Sequence, residues 1–169
     1  MEQKISAGIA LRGEFFIQNY GLDGGLKWEM LETNMVVNVG LQHLLDVLFA
    51  GSTQVGTWYL GLAASSMTVA SGDTMASHAG WVEVIPYATA TRAIFVDVRT
   101  NQLVSNSAAT VSHSINTAST IGGAFLVSTN NKGGSTGTLL CAVVFTGGDK
   151  AATDGDTLVV TYTFSAADA

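Results

Sequence analysis

Asp149, Asp154 and Asp156 crowd into one Gly-rich stretch near the C-terminus. Hard oxygen ligands at that density could coordinate a calcium ion. Their spacing is not that of an EF-hand loop, and Asp154-Gly155 ahead of a β-run is a standard turn signal, so a turn is the expectation. The histidines His43, His78 and His113 lie far apart and lack the spacing that presents two imidazoles to one metal, so no zinc site is expected. Acyl transfer needs a serine held by a base beside an oxyanion hole. The G-x-S-x-G elbow that usually announces one is absent. Cys141 sits inside the apolar run 139–145, where a thiol acts as a small hydrophobe, and a lone cysteine supports no disulfide within the chain. The stretch KGGSTGT at 132–138 has the glycines of a phosphate cradle but not the G-K-[ST] order opening a helix, and reads as a β-turn. Trp58, Tyr59, Trp81 and Tyr87 would stack a sugar ring if they shared an exposed face, although core packing is the commoner use of such residues. Catalysis is not where these residues point, and no cofactor or metal is expected.

The elements that must position these residues are mostly strands. The clearest covers 157–164, where Leu158, Val160, Tyr162 and Phe164 alternate with Val159, Thr161 and Thr163, the pattern of a half-buried antiparallel strand. Residues 93–98 alternate similarly. The run 139–145 is apolar on both faces and suits a central strand. Weaker strands are expected at 14–20, 26–30, 57–63, 81–85, 111–115 and 123–128, with 21–25 as a hairpin loop. One helix is expected at about 38–50: Leu41, Leu44, Leu45, Leu48 and Phe49 form a single stripe at i, i+3, i+4, i+7 and i+8, with Gln42 and Asp46 opposite. Asn38 is its expected N-cap and Gly51 its left-handed stop. Asp73 is expected to cap a short helical turn over 74–79, ended by Gly80. The fold class is therefore all-β with one inserted α-helix, an antiparallel β-sandwich that is jelly-roll-like.

At 169 residues the chain has the length of one domain. It divides into an N-terminal arm or hairpin over 1–35, a helix over 36–51 and a sandwich over 52–169. The arm carries Phe15, Phe16, Tyr20 and Trp28, which need a surface to pack on, either the subunit's own core or a partner chain. Only 12% of residues are charged while 47% are apolar, against about 25% charged in a typical domain. Hydroxyl-rich strands facing water, or neighbouring subunits, must cover what charge does not. A formal net charge of -6 with no Lys/Arg run argues against direct nucleic acid or anionic membrane contact. The N-terminus lacks an apolar segment of signal-peptide length, and no stretch approaches the ~18 apolar residues of a membrane span, so synthesis in a cytoplasm is expected.

Several pieces resemble, in order, segments of a family of small virion structural proteins of tailed bacteriophages. They are TNMVVNVGLQHLLDVLF at 33–49, TWYLGL at 57–62, ATR at 90–92, GAFL at 123–126, KGGSTGTL at 132–139 and GDTLVVTYTF at 155–164. The resemblance spans about residues 13–166. It implies a head decoration, or cement, protein on the virion surface, made in a bacterial host's cytoplasm and commonly a homotrimer bound to the major capsid protein, with Phe15, Phe16, Tyr20 and Trp28 as the expected capsid or intersubunit contact, and carries no catalytic residues. A tail, fibre or adaptor component and a virion-displayed carbohydrate-binding β-sandwich are the competing readings.

Overall fold

A computed structural model describes residues 8–168, so the first seven residues of the expected arm lie outside the described residues. The chain begins with β1 (Ile9–Tyr20) and β2 (Leu26–Thr33), a hairpin closed at 21–25. β3 (Met35–Val36), α1 (Asn38–Phe49), β4 (Trp58–Ala64), β5 (Glu83–Val84) and β6 (Ala93–Phe95) follow. The remainder is β7 (Val98–Thr100), β8 (Leu103–Ser105), β9 (Val111–Ser114), β10 (Ser119–Val127), β11 (Leu139–Val144), β12 (Lys150–Ala152) and β13 (Thr157–Asp168).

These strands form two antiparallel sheets. The first runs β2-β1-β13-β8-β7 with β9 also on β13; the second runs β3-β11-β10-β4-β5 with β12 on β10 and β6 on β4. Alternation decides which residues meet between them. From the first sheet Phe15, Ile17, Leu158, Val160 and Tyr162 are fully buried, while their neighbours Phe16, Tyr20, Val159 and Thr161 stay half-exposed on the outer face. The second sheet is covered on both faces, as the continuous apolar run of β11 requires. Leu60, Leu62, Ala124 and Leu126 pack toward the first sheet. Phe125 and Val127 face the other way, beneath a long connection that places Met67, Met75 and Trp81 over them. Each such burial contributes roughly 1.5–3 kcal/mol.

Residues 9–33 take the hairpin form of the expected arm or hairpin and are built into the sandwich: β1 pairs with β13 along its whole length and with β2 on its other side, because its alternation matches the sandwich interior. Three expectations are corrected. The segment 93–98 is not one strand. It breaks at Val96 and Asp97, so that β6 belongs to the second sheet and β7 to the first. The segment after Asp73 is a tight turn bridged between Thr74 and Ser77 rather than a helix, since the Asp73 carboxylate accepts from the Ala70 backbone N–H and the Trp81 indole instead of capping forward.

The third correction concerns α1, whose bounds match the expected helix. Val37 holds the N-cap position, and Gly51 ends the helix with φ 69° as the Ala50 and Ser52 N–H groups both donate to the Asp46 carbonyl. The stripe faces the opposite way from a core-facing one. Gly40, His43, Leu44 and Val47, at i, i+3, i+4 and i+7, turn toward the sandwich because Gly40 seats directly on the Leu140 carbonyl, where any Cβ would collide. Leu41, Leu45, Leu48 and Phe49 therefore turn to solvent, with exposures rising from 38% at Leu41 to 79% at Phe49.

Candidate functional site

Because α1 touches the sandwich through its Gly40 edge, it roofs rather than fills the end of the interior. A cavity of about 290 Å³ lies there. Leu44 and Val47 form its roof, Trp58, Leu126 and Leu140 its second-sheet wall, and Val104, Tyr162 and Phe164 its first-sheet wall. Phe95 stands edge-on to Tyr162, with ring centroids 5.7 Å apart. The mouth is polar: His43, Gln54, Asp97 and Arg99. His43 meets the Trp58 ring edge-on at 5.7 Å, and Arg99 pairs with Asp97 at 2.9 Å.

The three aspartates near the C-terminus do not converge on one point, and Asp154-Gly155 is the expected turn. Asp149 accepts the Ser66 backbone N–H, Asp154 is exposed in the turn, and Asp156 is buried. Asp156 accepts from Lys27, Asn19 and both the backbone and hydroxyl of Thr153. Burial alone would raise its carboxyl, but these donors outweigh it and hold the group well below the usual carboxylate range. Among the described residues no group of three His, Cys, Asp or Glu side chains is disposed to hold a metal, and no helix is long and apolar enough to cross a membrane.

The aromatic platform is also taken apart. Trp58 and Tyr59 are consecutive on β4 and so point to opposite faces of the sheet, and Trp81 and Tyr87 are core residues. Trp81 tilts against Phe125 and is stacked by His78 at 3.9 Å. Tyr87 meets the fully buried His113 edge-on. Among the described residues neither ring nitrogen of His113 has a partner; burial, with Lys132 nearby, lowers its pKa to about 4. Cys141 is buried as expected, donates to the Tyr162 hydroxyl, and is pushed up to about 12 by burial, which leaves it no thiolate character near neutrality.

No protein-family model, curated protein or solved structure matches this chain. Its surface and interior are the remaining guides. Of the four residues expected at a capsid or intersubunit contact, Phe15 is fully buried against Tyr162 at 4.5 Å and offers no contact surface. Trp28 turns inward onto Phe145 and donates its indole N–H to the Ala151 carbonyl. Phe16 and Tyr20 lie on the outer face of the first sheet, where Leu31 pairs with Phe16 and is 63% exposed.

The Gly-rich segment at 132–138 is a turn, and its backbone is already engaged. The Gly133 N–H donates to Glu83, and Lys132 donates to the Tyr87 and Thr89 carbonyls. Arg92, with a completely buried side chain, makes a two-pronged pair with Glu83 at 2.8 and 3.0 Å and donates to the Thr129 and Gly134 carbonyls. Its guanidinium also lies over the Phe125 ring. Sequence reasoning missed this clamp and the cavity mouth alike, since a lone arginine in a Thr/Ala string announces nothing. The outward stripe of α1 was visible as periodicity, but its direction was not.

Proposed function

We propose that this chain is a bacteriophage head decoration, or cement, protein that binds the outside of the assembled shell as a homotrimer and stabilises it. The observation that carries this reading is α1, which turns Leu41, Leu45, Leu48 and Phe49 to solvent. Apolar surface of that kind marks a protein contact, and the only charged residue of the helix is Asp46. The low charge of the whole chain and its resemblance to small virion proteins agree. In this reading α1 meets the major capsid protein, while Phe16, Tyr20 and Leu31 on the outer face of the first sheet meet neighbouring subunits. The protein would bind only assembled capsomers, so mass action would lower the free energy of the expanded shell relative to its dissociated parts.

The test combines mass determination in solution with co-sedimentation on expanded phage capsids that lack the protein. A trimer saturating the shells at hundreds of copies, with shell binding lost in a Leu45→Glu/Leu48→Glu variant of unchanged solution mass, is the expected result. Binding at a handful of sites would favour a tail or adaptor component instead. A chain that ignores capsids overturns the proposal.

A further inference from the structure

The cavity beneath α1 calls for a reading of its own, independent of any role on a capsid. Its volume, about 290 Å³, is roughly twice that of an engineered apolar cavity that stays dry and takes up benzene. Water needs two to four polar partners to be held in such a space. Past the mouth this lining offers aliphatic and aromatic carbon from Leu44, Val47, Phe95, Val104, Leu126 and Leu140. A preformed, mostly apolar space of this kind favours an apolar occupant.

The mouth sets the chemistry of the other end. Arg99 keeps N–H groups beyond its single pairing with Asp97, and the Gln54 amide can donate beside it. The Arg99 side chain is 69% exposed, so it can turn between Asp97 and an entering group without a buried charge being abandoned.

We propose that the cavity is a binding site for a small amphiphile: an apolar body of medium acyl-chain or two-ring size, with an acceptor-rich end, such as a carboxylate, held at Arg99. Trp58 and Phe95 flank the body, and α1 is the roof that such a ligand would steady. Occupancy would hold α1 against the sandwich more firmly than Gly40 alone does.

The probes are decanoate, below its micellar concentration, and decanol, titrated calorimetrically into the full-length protein. One molecule per chain is expected, with a negative heat-capacity change. Val47→Phe fills the cavity from the solvent-accessible helix and is expected to weaken both ligands at least about tenfold while raising the melting temperature of the unliganded protein. Arg99→Gln is expected to weaken decanoate about fivefold or more and leave decanol unchanged. Val104→Phe, from the opposite wall, repeats the filling test should Val47→Phe disturb the helix. Absence of binding overturns the proposal. So does binding at several sites per chain, or binding that survives both filling variants but fails in Leu45→Glu/Leu48→Glu, because the ligand would then be adsorbed on the outer stripe.

Discussion

The Arg92 clamp and the α1 roof both hold a connecting segment against the second sheet, and they do so by opposite means. At the clamp a buried guanidinium, a buried carboxylate and the carbonyls of Thr129 and Gly134 satisfy one another at 2.8–3.1 Å. Each group is out of water, so each unmade bond would cost the full desolvation of its partner, and one geometry is specified. At α1 only Gly40 is fully buried, the inner residues His43, Leu44 and Val47 are half-buried over an open space, and the outer ones face solvent. Apolar contacts have no direction to enforce, so beyond the close approach at Gly40 the helix rests on partly buried Val39 and Leu44 and leaves apolar surface for other molecules. Rigidity is concentrated where the chain needs a fixed loop, and unspent apolar surface where it can meet a partner.

Arg92→Ala attacks the first half of that contrast and has the largest expected effect. Breaking a buried pair from one side strands the other charge, at about 3–5 kcal/mol, which urea denaturation followed by far-ultraviolet circular dichroism would read. Replacing Arg92 by Met and Glu83 by Leu together is expected to recover most of the loss, since an apolar pair of similar volume is often no worse than a buried ion pair. If the double variant were as unstable as Arg92→Ala, the bonds to Thr129 and Gly134 rather than the charge pair would be the essential part.

His113 tests the same end of the molecule through pH. Its folded pKa of about 4 lies below the ordinary 6.5 because burial disfavours the imidazolium and Lys132 repels it. The unfolded chain therefore binds the extra proton first. Stability is complete above pH 6.5 and falls as the pH drops from 6.5 to about 4, by about 3 kcal/mol at about 1.4 kcal/mol per tenfold change in proton affinity. His113→Leu is expected to flatten that limb of the stability curve. The loss governed by Asp156, whose folded pKa is also depressed, lies at lower pH and should persist. An unchanged slope between pH 6.5 and 4 in His113→Leu would assign the limb to other groups.

Gly40→Ala shifts the test to α1. A Cβ there collides with the Leu140 carbonyl, backbone that cannot swing aside, so overpacking of about 1–3 kcal/mol is expected, together with a change in Trp58 fluorescence as His43 is lifted from its ring. The sequence foretold this helix and most of the strands for a simple reason: period 3.6 and period 2 are written in the chain. The pattern at 157–164 reappears in β13, and the two-faced run at 139–145 is the central strand β11. What periodicity lacks is direction. It grouped Leu44 with Leu41, Leu45, Leu48 and Phe49, but the close approach at Gly40, a tertiary fact, turned Leu44 inward and the other four outward. Strands β3, β8 and β12 are two or three residues long, too short for any period to show. Glu83 and Arg92 meet because β5 and β6 both pair with β4, and nothing local marks either as buried.

The smallest expected effect on stability sharpens the comparison most. Leu45→Glu/Leu48→Glu places two carboxylates at positions that are 57% and 69% exposed. Neither side chain leaves a cavity or strands a polar partner, so the folded chain should change by no more than about 0.5 kcal/mol. Glu is as good a helix former as Leu to within a few tenths of a kcal/mol, and the pair sits beside a single acidic neighbour, Asp46. A residue retained for the fold would not behave this way. If urea denaturation instead showed a loss of 2 kcal/mol or more, a scale typical of buried leucines, the stripe would be packed against part of the same chain and the contrast with the clamp would collapse. If stability holds while capsid binding disappears, these leucines act outside their own subunit.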